Sequence, residues 1–280
     1  MFRIGLLFKP SIKELDLIIK ELEMIERDYK VRFYLFDSEG LPTTPLGWSE
    51  DVDHLNFILC FGGDGTMLRS VESSIKYGAP VLGVNFGKLG FLSDSTLKEL
   101  RQSIQDLRDR KYYVESRMLL DVSVYKNKKL TLNKIVLNDV AVFKGNESKM
   151  VNIKLYANKQ FVYETRSDGM VVCTPTGSTA YSLSAGGPIM SPSMAGMIVT
   201  PLNPHVLTMR PMVFSEYDTI ELRLPTDESM NLQTDGVSVC DLGRNDRVVV
   251  RKSKYKFSFV KLSQKTFYKI LRKKLNMGKR

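Results

Sequence analysis

The sequence GGDGT at residues 62–66 is the first feature whose residue types and spacing indicate chemistry. Glycines let the backbone turn sharply and bring its N–H groups close to an anion, so the segment is typical of a phosphate-binding loop. It is neither a Walker A loop, which needs a following Gly-Lys-Ser/Thr, nor a dinucleotide fingerprint, because Leu68 replaces the third glycine. The Asp64 carboxylate would repel a phosphate bound there, so its presence indicates a specific role. It could accept a proton from an attacking hydroxyl or hold a nucleotide's magnesium. The alternative is a tight turn in which Asp64 only caps the next helix.

A second polar segment, TPTGSTAYSLSAGGP at residues 174–188, also has the composition of a ligand-binding loop. Its small, hydroxyl, glycine and proline residues make a poor core, and a long serine-rich surface loop is the alternative. Asn138 and Asp139 together offer the donor and acceptors that paired ribose hydroxyls need, although they can equally form a strand bulge. Asp168-Gly169, taken alone, is typical of a hairpin turn.

The first part of the chain alternates strands with helices, which places the GGDGT segment directly after a buried strand. A Ser11-x-x-Glu14 capping box indicates where the first helix starts. Apolar runs predict strands at 2–8, 31–36, 57–61 and 81–86, and helical spacing predicts helices at about 12–25, 66–77 and 97–107. This alternation implies a parallel α/β sheet with ligands at the carboxyl ends of its strands.

From about residue 112 the pattern changes to consecutive strands joined by polar turns, which is antiparallel. Strands are predicted at 112–125, 130–143, 150–156, 161–173, 197–200, 219–224, 237–240, 247–251 and 255–260. We therefore predict an α/β domain at 1–112 that carries the catalytic loop and binds the phosphate donor, followed by a β-rich domain at 113–262. The helical segment 263–280 is expected to pack back on the first domain.

Composition narrows the class of protein. The chain has 280 residues and a net charge of +10, with three scattered cysteines and two histidines outside any metal-ligand spacing. Neither a disulfide framework nor a zinc site is indicated. With no membrane-length apolar run and no signal peptide, we expect a cytoplasmic protein that contacts no membrane. The basic tail at 265–280 is interpreted as a solvated face without a catalytic role.

The GGDGT segment, Asn138-Asp139, Asp168-Gly169 and residues 174–188 together resemble the signature set of the bacterial NAD kinase family. Their order and spacing match, and the resemblance runs from the first strand to at least Asp235-Gly236. Residues 174–188 are its most specific part, since lipid kinases and phosphofructokinases share the glycine-aspartate loop. The resemblance implies an α/β N-terminal domain, a β-rich NAD-binding domain, an active site between them, and a homodimer or homotetramer whose sites borrow residues from a neighbour.

The resemblance also implies roles for individual residues. Asp64 would be the proton acceptor, with Gly65 beside it, and Arg69 would turn positive charge toward phosphate. Asn138 and Asp139 would hold NAD through its ribose and base. The residues that would frame the adenine and the ribose to be phosphorylated are Thr179, Ala180, Tyr181, Ser182, Leu183 and Ser184. Those that would make further ligand or intersubunit contacts are Lys149, Arg166 and Asp168.

The expected activity is transfer of the γ-phosphate of a nucleoside triphosphate to the 2′-hydroxyl of NAD's adenosine ribose. NAD and ATP are the expected substrates, and Mg²⁺ or another divalent ion would arrive with ATP, because the sequence shows no carboxylate cage and no residue is assigned as a metal ligand. A diacylglycerol or sphingoid lipid kinase is the alternative enzyme, but the segment 174–188 is too polar for an apolar acceptor. A nucleic-acid-binding protein is the alternative of another class, and lysines interleave with aromatics only weakly at 254–257 and 267–269.

Overall fold

The computed structural model describes residues 2–10, 12–35, 52–87, 90–145, 149–225, 227–262 and 266–277. The chain forms two compact units, the first comprising Met1–Ser116 and Phe257–Arg280 and the second Arg117–Lys256. Residues 257–262, which the sequence pattern places in the β-rich domain, therefore lie with the first unit. They belong there because their strand pairs with the sheet of the first unit, where Phe259 lies beside Val81 as a parallel partner. None of the described helices combines the length and apolar character needed to cross a membrane.

The first unit is an α/β layer whose sheet is parallel, as predicted. Its elements are β1 (Phe2–Phe8), α1 (Leu15–Tyr29), β2 (Val31–Leu35), β3 (Phe57–Phe61), α2 (Asp64–Tyr77), β4 (Val81–Asn85), β5 (Ser95–Thr96) and α3 (Leu100–Arg108). The strand order is β2-β1-β3-β4, and β3 and β4 are buried along their whole length. β3 is apolar throughout, as a strand buried on both faces is expected to be, and β4 has one buried polar residue, Asn85. Ser11 of the predicted capping box lies outside the described residues, and α1 begins after Glu14.

The second unit consists of two antiparallel sheets with their apolar faces packed together. Its elements are β6 (Tyr113–Lys126), β7 (Lys129–Val136), β8 (Asp139–Lys144), β9 (Val151–Ala157), β10 (Gln160–Ser167), β11 (Gly169–Cys173), α4 (Tyr181–Ser184), β12 (Gly196–Leu202), β13 (Met212–Ser215), β14 (Ile220–Arg223), β15 (Met230–Thr234), β16 (Val237–Leu242) and β17 (Arg247–Lys261). One sheet has the order β13-β12-β11-β8-β15-β16. The other joins β10, β9, β14 and β17, with β6 and β7 also attached. Alternate residues of both sheets form one core, each fully buried aliphatic side chain being worth about 1.5–3 kcal/mol. A last helix, α5 (Phe267–Lys274), belongs to the first unit.

Two predicted strands are each wrong as single elements. The predicted strand at 130–143 is β7 followed by β8, and that at 161–173 is β10 followed by β11, with the members of each pair in different sheets. At the first break Val136 is the last residue paired with β6, and Asp139 is the first residue paired with β11. The chain instead crosses from one sheet to the other at Asn138 and again at Asp168. Neither site is therefore the bulge or the hairpin turn that a single residue pair suggests.

Candidate active site

The GGDGT segment joins β3 to the N-terminus of α2. The Gly62 N–H donates to Val84 O at 3.0 Å, which anchors the segment to β4, and the Thr66 N–H donates to Gly63 O at 3.0 Å, which closes the first turn. Gly63 and Gly65 are exposed. The positive end of a 14-residue helix is therefore accessible to solvent, an arrangement that binds phosphate.

Asp64 is the first residue of α2, but its carboxylate does not cap that helix. Instead Oδ2 accepts the Phe91 N–H and Oδ1 accepts the Leu92 N–H, both at 3.0 Å. Gly90 packs so closely that a Cβ there would overlap Oδ1. The side chain stays 32% exposed. The segment 90–92 thus fixes the carboxylate in one orientation while leaving further lone pairs accessible, which suits a proton acceptor better than the capping alternative.

Two cationic side chains lie near this carboxylate or on its helix. Arg69, half-buried one turn further along α2, donates from Nη1 to Phe8 O at 3.3 Å, at the end of β1. Lys274, at the end of α5, places Nζ 3.9 Å from Asp64 Oδ2 and 5.1 Å from the centroid of the Phe91 ring. The phosphate contact expected of Arg69 stays a prediction. Lys274 lies in the tail to which the sequence analysis gives no catalytic role.

In the second unit, the start of the segment 174–188 packs against the crossing at Asn138. The Thr174 hydroxyl donates to Leu137 O at 2.6 Å and the Thr174 N–H donates to Asn138 O at 2.9 Å. A Cβ on Gly177 would overlap Asn138 O, so only glycine fits there. Asn138 is half-buried, and within the described residues of this unit its side-chain amide makes no hydrogen bond. That amide is consequently available to a ligand.

Two aspartates hold this crossing in place, Asp139, which is buried, and Asp235, which is half-buried. Asp235 Oδ1 accepts the N–H groups of Asn138 at 2.7 Å and Asp139 at 3.2 Å, and Oδ2 accepts that of Leu137 at 3.0 Å. Asp139 is 5% exposed, and the nearby Tyr181 N–H favours the charged form and so lowers the pKa of Asp139. Burial, followed by the negative charge of Asp235, raises the pKa of Asp139 to about 7. Burial also raises the pKa of Asp235, against the effect of its three N–H donors. Direct bonding of NAD by Asp139 stays a prediction.

The raised pKa predicts how the Asp139→Asn variant depends on pH. A folded-state pKa above the unfolded value of 3.8 means that the contribution of Asp139 to stability is complete below pH 3.8 and lost as pH rises through about 7. Asparagine mimics the protonated form at every pH and keeps an acceptor for Tyr181. We expect the variant to melt roughly 3–6 °C above wild type at pH 8, about 1–2 kcal/mol, with the difference vanishing toward pH 4.

Thermal melts at pH 4, 6 and 8 measure this, with Asp16→Asn on the exposed face of α1 as the control. The control should follow the wild-type pH profile throughout. An Asp139→Asn difference that is the same at all three values of pH would show that Asp139 titrates normally.

The expected ligand residues 179–184 divide by exposure. Ser182 is buried and its hydroxyl bonds the Thr200 hydroxyl at 3.0 Å, so it holds the loop together from inside. Tyr181 and Ser184 are exposed, and the half-buried members are Thr179, Ala180 and Leu183. Five of the six are therefore accessible to a ligand, and the role of each stays a prediction.

Asp168 lies at the second crossing, on a cavity of about 310 Å³. Its carboxylate accepts bonds from Lys144 Nζ at 2.8 Å and Asn203 Nδ2 at 2.9 Å, and these donors, Lys144 first, lower its pKa. The side chains of Tyr181 and Ser184 line the same cavity. Three of the expected site residues are thus brought together on one cavity.

The two remaining expected contacts, Lys149 and Arg166, are exposed on the second unit. The Arg166 carbonyl accepts the His205 N–H at 2.9 Å. This bond involves only backbone atoms and does not engage the guanidinium. Neither residue is among those that line the cavity beside Asp168. Their ligand or intersubunit contacts stay predictions.

Comparison with protein families assigns both parts of the chain. Residues 36–112 match the ATP-NAD kinase N-terminal domain, and residues 137–262 match the ATP-NAD kinase C-terminal domain. The chain belongs to the NAD kinase family. The resemblance of the sequence motifs to this family is thereby confirmed.

Relatives within the NAD kinase family align along most of their length. The NAD kinase of Desulforamulus reducens is 39% identical over 238 residues, 85% of this chain and 81% of that protein. The NAD kinase of Caldanaerobacter subterraneus subsp. tengcongensis is 38% identical over 79% of this chain and 78% of its own. An Archaeoglobus fulgidus NAD kinase solved in complex with ATP superposes with a TM-score of 0.75 and 26% identity, covering 99% of this chain and 100% of that one. Yeast NADH kinase complexed with NADH gives 0.88 at 24% identity, over 100% and 89%, and shows the shared fold.

Three residues that the sequence did not identify as site residues lie near the site or hold its backbone in position. They are Asp235, Lys274 and Arg117, which is buried and donates from Nη1 to Thr176 Oγ1 at 3.4 Å. An Asp-Gly pair between strands predicts a hairpin turn and not its tertiary bonds, and a charge run predicts a solvated face. Arg117 lies within a predicted strand, and nothing in the surrounding sequence indicates a role at the site.

Proposed function

We propose that this chain transfers the γ-phosphate of a nucleoside triphosphate to the 2′-hydroxyl of NAD's adenosine ribose, giving NADP. Membership of the NAD kinase family supports this activity. The observation that carries it is the fixed Asp64 carboxylate, held by the Phe91 and Leu92 N–H groups beside the exposed N-terminus of α2. A base and a phosphate-binding helix end are thereby joined in one segment.

The reaction requires a hydroxyl that stays protonated at neutral pH to attack phosphorus. As the ribose O2′ forms a bond to the γ-phosphorus, the bond from that phosphorus to the β–γ bridging oxygen breaks, and the nucleoside diphosphate leaves with its electron pair. The hydroxyl proton passes to Asp64. Because the transition state is loose, positioning and charge neutralisation supply more of the rate than the base does.

Each unit has a proposed share in binding. In the first unit, the exposed N–H groups of Gly63 and Gly65 at the start of α2 receive donor phosphates, and Arg69 adds positive charge. In the second unit, the side-chain amide of Asn138, which makes no hydrogen bond to the described residues of that unit, binds the ribose and base of NAD. The accessible residues of the segment 179–184 surround its adenosine.

A divalent ion is proposed to arrive with the triphosphate. Among the described residues no group of three or more His, Cys, Asp or Glu side chains is arranged to hold a metal. Asp64 offers one carboxylate whose two oxygens each already accept an N–H, so the chain fits an ion that takes at most one protein ligand and keeps phosphate oxygens and waters for the rest. When bound, Mg²⁺ neutralises charge on the β- and γ-phosphates.

Cytoplasmic location and a homodimer or homotetramer are part of the same proposal. The cysteines Cys60, Cys173 and Cys240 are all free thiols, which is usual in a reducing compartment. Homo-oligomerisation rests on the resemblance to the family. Size-exclusion chromatography with light scattering measures it directly.

Incubation of the purified chain with NAD and Mg-ATP tests the activity. We expect NADP to form, detected by a coupled NADP-specific dehydrogenase. The assay is repeated with other nucleoside triphosphates and with inorganic polyphosphate to define the donor. Absence of NADP with every donor, from protein that is folded by circular dichroism, would overturn the proposal.

A further inference from the structure

The C-terminal helix α5 carries a cation to the proposed catalytic carboxylate. Thr266 caps the helix by accepting the Lys269 N–H, and the buried side chains of Ile270 and Leu271 hold it on the first unit. Lys274 then ends the helix with Nζ 3.9 Å from Asp64 Oδ2 and above the ring of Phe91. Its side chain is 35% exposed, so the contact is directed and partly shielded from water.

Phe91 contacts both Asp64 and Lys274. Phe91 donates its N–H to one Asp64 oxygen and presents its ring to the ammonium group. At 3.9 Å the ammonium attracts the carboxylate without an ordinary hydrogen bond. Its N–H donors are therefore not committed to Asp64 and remain open to an anion.

Charge explains why a lysine is useful there. A carboxylate at the mouth of a phosphate-binding helix repels the donor that the helix attracts, and a neighbouring ammonium offsets that repulsion. A hydroxyl that gives its proton to Asp64 lies about 2.6–3.2 Å from it, and the phosphorus under attack lies about 3–3.5 Å from that hydroxyl oxygen. A flexible lysine within 4 Å of Asp64 can thus reach oxygens of the transferring phosphate.

We propose that Lys274 binds the transferring phosphate of the donor and neutralises its charge during transfer. This inference rests on the proposed kinase function. It assigns a substrate contact to the basic tail, whose neighbouring cations Arg272 and Lys273 are exposed on the same helix. Those two residues provide matched controls of the same charge.

Steady-state kinetics of three variants test the proposal. Lys274→Met keeps most of the stem over Phe91 and removes the charge, so we expect kcat/KM for Mg-ATP to fall about 10–100-fold, as for loss of a charged hydrogen bond. The KM for NAD should change less than about 2-fold. Lys274→Arg, which restores the charge, should recover activity to within about 5-fold of wild type, and Lys273→Met should match wild type.

A second readout separates charge from packing. Lys274→Cys is treated with 2-bromoethylamine, whose carbon forms a thioether with the cysteine sulfur as bromide leaves, which restores an ammonium side chain. We expect this treatment to raise the kcat/KM of the variant for Mg-ATP at least 5-fold. Wild type treated in the same way controls for reaction at Cys240, which is half-buried.

The role of Lys274 would be overturned if Lys274→Met were as active as wild type, or if Lys274→Arg were as impaired as Lys274→Met. It would also be overturned if Lys274→Met raised only the KM for NAD. If wild type makes no NADP, the kinase proposal itself fails. Titration of Mg-ATP in the absence of NAD still tests the contact, since Lys274→Met should then bind the nucleotide at least 5-fold more weakly than Lys273→Met. Equal affinities would overturn it.

Discussion

Asp64→Asn is expected to lower kcat for NADP formation by roughly 10²–10⁴-fold, the usual contribution of a general base. The variant keeps the size of the side chain and removes the carboxylate. NAD, whose proposed contacts lie on the second unit, should keep its affinity to within about 3-fold. Single-turnover kinetics with Mg-ATP measure the rate of the chemical step, and fluorescence titration measures the affinity for NAD. An Asp64→Asn enzyme with a wild-type chemical step would remove Asp64 from the mechanism.

The Phe91 and Leu92 contacts require a control, because the asparagine amide presents its NH₂ to one of two N–H groups that Asp64 now satisfies. Part of the loss in Asp64→Asn is therefore positional. Gly90→Ala provides the comparison: its Cβ displaces the segment 90–92 from the Asp64 oxygen while the carboxylate remains. We expect Gly90→Ala to lose only about 10-fold in kcat. An equal loss in both variants would mean that the position of the segment, and not proton acceptance, sets the rate.

The elements of the first unit could be predicted closely from sequence because each is specified locally. The run FILCF at β3 is apolar throughout, which only a strand buried on both faces tolerates, and the apolar positions of α1 repeat at helical spacing. The GGDGT segment combines glycines with a carboxylate among them, so phosphate binding could be predicted for it without knowledge of the fold. Local pattern and tertiary structure agree in this unit.

The crossings of the second unit were not predictable in the same way. Val136 and Leu137 continue the apolar pattern of a strand, and nothing local indicates that the chain changes sheets between them and Asp139. Tertiary hydrogen bonds determine where the strand ends. Thr174 and Asp235 bond the backbone groups of Leu137 that would pair with a neighbouring strand if the strand continued. Asp235 is 98 residues from Leu137 in sequence, and such a bond has no periodicity to reveal it.

Asp235→Asn is expected to destabilise the second unit by roughly 2 kcal/mol and to raise the KM for NAD about 10-fold. Asp235 has φ 49°, a conformation that asparagine also adopts, so the backbone of the hairpin is not strained. With its oxygen at Oδ1 the amide still accepts from Asn138 and Asp139, but its NH₂ then opposes the Leu137 N–H, which loses its acceptor. The crossing shifts, and the Asn138 amide shifts with it.

The KM for Mg-ATP separates this positioning role from a general loss of fold, because the residues proposed to bind the phosphate donor belong to the first unit. It should stay within about 2-fold of wild type in Asp235→Asn. Asp241→Asn on the same hairpin is the matched control, since that aspartate is exposed and its carboxylate accepts a bond from the Asn231 side chain at 3.1 Å. The control should change neither KM. The Asp235 carboxylate contacts the crossing through the backbone N–H groups of residues 137–139. An unchanged KM for NAD in a destabilised Asp235→Asn protein would therefore mean that Asn138 does not bind NAD from this position.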